Sequence, residues 1–173
     1  TLNRRGGRAL GLCGMDAGLF QAKALDEKYG LVGEIVKVDP APVEDSLKEG
    51  YIPVVSTVAQ GVDGPNAYNI NADTAAAKLA VALKAEKLLL LTDVRGLLRD
   101  PEDESTLLSE VALSDVPLLV KEGVIQGGMI PKVGCCVEAV RSGVKDTVIL
   151  DGRIPHSILI ELLSDAGIGT MLH

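Results

Sequence analysis

Three polar clusters carry side chains suited to binding and activating anions. In AYNINADTAA (67–76), Asn69, Asn71 and Asp73 fall at every second position. On an extended approach such residues point to one side. A helix starting near Asn71 adds unpaired backbone N–H groups and the positive end of a dipole. Amides beside a helix start suit a carboxylate or phosphate, and Asp73 could order nearby lysines. Plain helix capping by Asn71, with Asp73 in the first turn, accounts for the same residues. In LLLLTDVRGLL (88–98), Thr92 and Asp93 stand where a strand ends, a position that serves a nucleotide or an ordinary turn equally well. In GVIQGGMIPK (123–132), Gly127 and Gly128 let the backbone approach a bulky anion, and Lys132 falls in the first turn of the next helix. A flexible loop and a solvated lysine is the alternative there.

Other chemistries lack their signatures. There is no G-x-x-x-x-G-K-[ST], no G-x-G-x-x-G and no G-x-S-x-G, and His156 and His173 are the only histidines. The net charge of −7 and four aromatic residues argue against a nucleic-acid partner, which needs a basic face or stacking rings. No run reaches the roughly 18 apolar residues that span a bilayer, so no membrane partner is expected. Three cysteines without C-x-x-C spacing fit a reduced compartment. The expected location is cytoplasmic, or plastid for a plant or algal source, any targeting peptide lying upstream of Thr1.

The elements that must position these clusters alternate between strand and helix. Residues 9–13 read as a buried strand, and Leu19–Val38 as a β-hairpin appended to the main sheet. Asp39 caps a helix with Pro40 in its first turn, ending at Gly50. Residues 51–59 read as one strand, followed by a loop, then a helix over 71–86 with Ala76, Leu79, Ala80 and Leu83 as its apolar stripe. Residues 87–93 form a fully buried strand. A short helix opens at Ser114 and stops at Gly123, and a longer one runs from about Ile130 to Ser142. A strand (147–152), a helix (157–165) and a last strand (169–173) complete the chain. This pattern predicts a single α/β domain over residues 1–173, three layers (α/β/α) around a mostly parallel sheet, with ligands beyond the carboxyl ends of the strands.

Taken in order, YNINADTAA (68–76), EKLLLLTDVRGLL (86–98), GGMIPKV (127–133) and DGRIPHSILIELLSDAGIGTM (151–171) resemble successive signature segments of the acetylglutamate kinases, members of the amino acid kinase family. GLVGEIVKVDP (30–40) and EGYIPVVS (49–56) resemble that family's hairpin and following strand. The resemblance covers nearly the whole chain and corresponds to the C-terminal, nucleotide-binding two-thirds of a family member, without the N-terminal lobe. It implies ATP with Mg²⁺ as phosphoryl donor and the side-chain carboxylate of N-acetyl-L-glutamate as acceptor, a step toward arginine. It implies that Asn69 and Asn71 bind substrate, Asp73 holds the catalytic lysines and Lys132 stabilises the transferring phosphoryl group. Thr92, Asp93, Val94, Arg95, Gly96, Leu97 and Leu98, with Val124, Ile125, Gln126, Gly128 and Met129, would line the nucleotide site.

The resemblance also implies arginine as an effector, through His156, Glu161 and Gly167. A plain amphipathic helix and its cap accounts for that segment too. Cys135–Cys136 resembles sequences from plants and their relatives, where a PII-type signalling protein is a partner, and the intact family member is expected to be a homo-oligomer. Two departures stand out. The first lobe, with its glycine pairs, a lysine and an arginine, has no counterpart here, so this chain alone is expected to lack turnover. Met15 stands where relatives carry lysine. The remaining readings are a catalytically incomplete nucleotide-binding or assembly fragment, or another amino acid kinase.

Overall fold

The structure is a computed structural model that describes residues 1–164 and 167–173. They fall into two compact units, Thr1–Leu83 and Lys84–His173.

The first unit contains β1 (Ala9–Cys13), β2 (Phe20–Ala24), β3 (Gly33–Val38), α1 (Ala41–Lys48), β4 (Ile52–Ser56), β5 (Val58–Gly61), β6 (Ala67–Asn69) and α2 (Ala72–Ala82). β1 pairs parallel with β4, from Ala9↔Ile52 to Cys13↔Ser56. A second sheet has the order β3-β2-β5-β6. The expected hairpin is β2–β3, antiparallel with a bulge between Gln21 and Ala22. The run 51–59 is two strands in two sheets rather than one. The chain leaves β4 at Thr57, whose carbonyl accepts from the Ile70 N–H at 2.9 Å, and β5 then pairs with β2. The loop expected after residue 59 also holds a strand, β6, which folds back antiparallel on β5.

Phe20, the only phenylalanine, is buried with Leu19, Ile35, Val43, Tyr68 and Ile70. Each such apolar side chain contributes roughly 1.5–3 kcal/mol when fully buried. The α2 helix buries Ala75, Ala77 and Ala80, a face shifted from the expected stripe, with Leu79 and Leu83 packed at the margin. An alanine-rich helix has little contrast between its faces, so pattern alone fixes its rotation poorly. It stops at Ala82 rather than residue 86, and Lys84 takes a left-handed φ of 53°.

The second unit contains β7 (Lys87–Thr92), β8 (Glu110–Val111), α3 (Val116–Lys121), α4 (Met129–Arg141), β9 (Asp146–Asp151), α5 (Ser157–Leu163) and β10 (Thr170–Leu172). The sheet order is β7-β9-β10-β8. β7 and β9 run parallel in register from Lys87↔Asp146 to Thr92↔Asp151, and β10 is antiparallel to β9. Val148, Ile149 and Leu150 of β9 are wholly buried. β7 was expected to be fully buried and is not: Leu88 and Leu90 are buried while Leu91 is 48% exposed. An edge strand among the described residues, β7 shows the period-two alternation of a sheet packed on one face. α5 buries Ser157 and Glu161 and exposes its aliphatic residues. The end expected for that helix, Asp165, lies outside the described residues.

Among the described residues four of the seven strand pairings are parallel, and the fold is mixed α/β with mostly parallel sheets. None of their helices is long and apolar enough to cross a membrane.

Candidate active site

In the first unit the asparagine cluster is set by the alternation of β6 and by the start of α2. Tyr68 and Ile70 point into the core, so Asn69 and Asn71 are exposed on either side of Ile70. The Asn69 N–H donates to the Leu31 carbonyl at 2.8 Å, which ties this strand end to the β2–β3 hairpin. Asn71 is the N-cap of α2; its Oδ1 accepts from the Thr74 N–H at 3.1 Å. That bond uses the carbonyl side of the amide, so the NH₂ side of Asn71, at the positive end of the helix dipole, can still face an anion. Asp73 lies in the first helical turn, half-buried. Capping and anion binding are therefore compatible uses of the same residues.

A clamp behind β6 fixes its orientation. The Tyr68 hydroxyl donates to both Asp63 carboxylate oxygens at 2.9 Å, and the same carboxylate accepts from the Ala24 N–H at 2.9 Å. The Ala24 bond, opposed by burial and aided by Tyr68, holds Asp63 below the usual carboxylate range. Burial, then Asp63, raises the Tyr68 hydroxyl.

In the second unit the segment after β7 is locked by its own side chains. Thr92 Oγ1 accepts from the Val94 N–H at 2.8 Å, and Asp93 is exposed at the turn. Gly96 has φ +150°, and a Cβ there would stand 2.5 Å from Thr170 Oγ1. Thr170 in turn accepts from the Leu97 N–H at 2.8 Å, and Leu97 is buried. Leu98 bridges to Leu107. The segment Thr92–Leu98 thus leaves the sheet and returns against the β10 residue Thr170.

The glycine turn is held by α3 instead. The Val124 and Ile125 N–H groups donate to the Leu119 carbonyl at 3.0 and 3.1 Å, and Ile125 is buried. Gln126, Gly127 and Gly128 are exposed, and nothing stands within 4 Å of a Cβ built on either glycine. Gly127 has φ +54°, the left-handed region that favours glycine. Gly128 caps α4, Met129 begins it, and Lys132 lies in its first turn, half-buried. Open backbone, a 13-residue helix start and an ammonium suit a phosphate.

The sequence-based site omitted Asp151 and Arg153. Thr92 stands opposite Asp151, so the β7 and β9 ends are adjacent, and the Gly152 N–H donates to the Thr92 carbonyl at 2.9 Å. The Asp151 side chain is 5% exposed and meets Arg153 Nη2 at 2.8 Å and Nε at 3.0 Å. It also accepts from the Arg153 N–H at 2.8 Å. The Arg153 side chain, then its backbone N–H, holds the Asp151 carboxyl down at about 2. Its signal in the sequence was a D-G-R turn directly after a buried strand.

Glu161 and Gly167 come together, and His156 does not join them. Glu161 Oε2 accepts from the Ile168 N–H at 2.9 Å, and Glu161 and Gly167 line a cavity of about 420 Å³ with Lys87, Ser109, Glu110 and Ser164. Lys87 and Glu110 were not foreseen. His156, with φ 62°, lines a different cavity of about 470 Å³ beside Leu91 and Arg153.

The model of the amino acid kinase family matches residues 1–151. The acetylglutamate kinase of Clostridium beijerinckii is 57% identical over 174 residues, covering 99% of this chain and 61% of that protein. The acetylglutamate kinase of Heliobacterium modesticaldum is 54% identical, with coverages of 99% and 62%. The chain therefore spans about three-fifths of the length of these relatives. The solved N-acetylglutamate synthase from Neisseria gonorrhoeae, complexed with coenzyme A and L-arginine, matches 96% of this chain and 38% of its own. Its TM-score is 0.80 at 26% identity. With the family match spanning most of the sequence, the chain belongs to the amino acid kinase family.

Proposed function

We propose that this chain is the C-terminal, nucleotide-binding part of an acetylglutamate kinase, which phosphorylates the side-chain carboxylate of N-acetyl-L-glutamate with ATP. The observation that carries this is 57% identity to such a kinase across 99% of the chain. In the reaction a carboxylate oxygen attacks the γ-phosphorus, the bond to the bridging oxygen breaks, and ADP leaves with the electron pair. No proton need move, because the carboxylate is already ionised. Positioning and charge are then the protein's main contributions. Asn69 and Asn71 offer amide donors to a substrate carboxylate. The segments 92–98 and 124–129 line the nucleotide, and the Lys132 ammonium offsets charge on the transferring group. Among the described residues no group of three or more His, Cys, Asp or Glu could hold a metal ion. Mg²⁺ would enter with the nucleotide, held chiefly by its phosphates and water.

The coverage of three-fifths supports a further point: this chain alone binds nucleotide without turnover. The test is a hydroxamate assay with MgATP and N-acetyl-L-glutamate, paired with calorimetric titration of MgADP. Binding without acyl phosphate is expected. Turnover abolished by Lys132→Ala would overturn the incompleteness, and no MgADP binding by a folded chain would overturn the nucleotide assignment.

Regulation by arginine is part of the same reading. Its support is the cavity lined by Glu161, Gly167, Lys87 and Glu110, whose carboxylates would meet the guanidinium of a bound arginine and whose ammonium would meet its carboxylate. Arginine should raise the melting temperature of the chain, and Glu161→Ala should remove that rise. A homo-oligomer in the completed enzyme and a PII-type partner are proposed from the resemblance, and bacterial relatives favour the cytoplasm over a plastid. Sedimentation of the completed enzyme, alone and with a PII protein, tests the assemblies.

A further inference from the structure

We propose that Arg153, oriented by Asp151, contacts the phosphates of the bound nucleotide, so that the turn after β9 is a second nucleotide-binding segment beside the one after β7. This rests on the nucleotide-binding reading above.

The two turns are neighbours by register. Thr92 stands opposite Asp151, and the Gly152 N–H donates to the Thr92 carbonyl at 2.9 Å. In α/β sheets ligands collect beyond the carboxyl ends of the strands, and both turns lie there. A contact made by residues 92–98 is thus within reach of residues 151–153.

The orientation of Arg153 is set from below. Asp151 is 5% exposed and engages Nε and Nη2, while the Arg153 side chain is 67% exposed. A buried carboxylate holds one edge of the planar fork, which leaves the other edge to solvent. A guanidinium carries donors only, so its complement is a group rich in acceptors. Among the parts of a nucleotide, phosphate oxygens fit best.

Arg95 supports the same rim. Its Nε is buried without a hydrogen-bond partner, and the Glu104 carboxylate stands 3.7 Å from it. Both Arg95 and Arg153 act electrostatically on Asp151, and Arg153 also feels Asp93 and Glu104. Those two acids temper the positive charge, which favours the nucleotide as its Mg²⁺ complex over the bare anion.

The experiment is calorimetric titration of the chain with MgADP and, separately, with adenosine. Arg153→Gln should weaken MgADP about tenfold, the size of one hydrogen bond to a charged group, and leave adenosine unchanged. Arg153→Lys should recover part of the loss. Asp151→Asn, which keeps the shape but loosens the hold on the guanidinium, should give the same selective loss in a chain shown to be folded by its melting curve. Unchanged MgADP affinity in Arg153→Gln would overturn the proposal. So would equal losses for both ligands, which would mark a structural role. A wild-type chain that binds neither ligand removes the nucleotide reading itself, a result distinct from either.

Discussion

The Tyr68 hydroxyl and the Asp63 carboxylate face each other across five residues, with 2.9 Å to each carboxylate oxygen. Tyr68 sits one residue before Asn69, so this bond fixes the strand that presents the asparagine pair. Tyr68→Phe keeps the buried ring and deletes only the hydroxyl. It should lower the melting temperature by about 3 °C, the scale of one lost hydrogen bond in a chain of this length. Hydrogen exchange at the Ala24 and Asn69 amides should quicken together. Unchanged exchange at Asn69 would show that the clamp does not reach the site.

Asp151 makes a prediction about acid. Its ordinary value is 3.8, and Arg153 holds it at about 2 in the folded chain. A carboxyl depressed by folding adds stability that is complete above its unfolded value and is lost as pH falls through its folded one. That window runs from about pH 4 to about pH 2. Asp151→Asn should therefore be less stable than wild type at pH 7, and the gap should close across the window. Denaturant unfolding at pH 7, 4, 3 and 2 checks it. A constant gap would mean that shape, rather than charge, is what Asp151 supplies.

Gly96 and Gly128 should separate structure from site. A Cβ at Gly96 meets Thr170 Oγ1 at 2.5 Å and Leu107 Cδ1 at 2.9 Å, and φ +150° is strained for any L side chain. Gly96→Ala should cost roughly 2–5 kcal/mol from strain and crowding. Gly128 has a helical φ of −65° and open space around it. Gly128→Ala should change stability by less than about 0.5 kcal/mol yet weaken MgADP, because the methyl keeps phosphate away from the backbone. Thermal melts and calorimetry on both variants decide. Equal binding in Gly128→Ala would show that this turn does not cradle the nucleotide.

How legible these features were in the sequence depends on how local their causes are. The β2–β3 hairpin and β9 were readable because a turn cluster and an unbroken apolar run announce them. The division of residues 51–59 was not, since V-V-S-T-V-A holds no glycine or proline and the break at Thr57 comes from a long-range bond to Ile70. β8 is two residues long and exists through its pairing with β10. In the site, Asn71 as a cap and the open Gly127–Gly128 turn follow from neighbouring residues and were foreseen. The Asp151–Arg153 pair was missed because its place beside Thr92 depends on the register of two strands 59 residues apart in sequence. Lys87 and Glu110 were missed for the same reason, since a cavity assembles them from separate strands.

Lys132 gives the sharpest test of the proposed chemistry, in a chain completed to the length of its relatives. It stands in the first turn of α4, directly after the open glycine turn. On the proposed reading, this half-buried ammonium would meet phosphate in both the bound state and the transition state. The question is which of the two it favours. If it acts mainly on charge developing during transfer, its removal lowers kcat and leaves KM for ATP nearly constant. By comparison with loss of one preorganised donor, Lys132→Ala should reduce kcat by on the order of 10²–10³. Lys132→Arg should recover little, because a planar fork is larger than an ammonium and aims its donors differently. Lys132→Met, close in length and uncharged, separates the stem from the charge: it should match alanine in kcat while keeping the wild-type melting temperature. Steady-state kinetics with MgATP and N-acetyl-L-glutamate provide the readout. A defect confined to KM, or a methionine variant as active as wild type, would make Lys132 a binding or packing residue and move the charge stabilisation elsewhere.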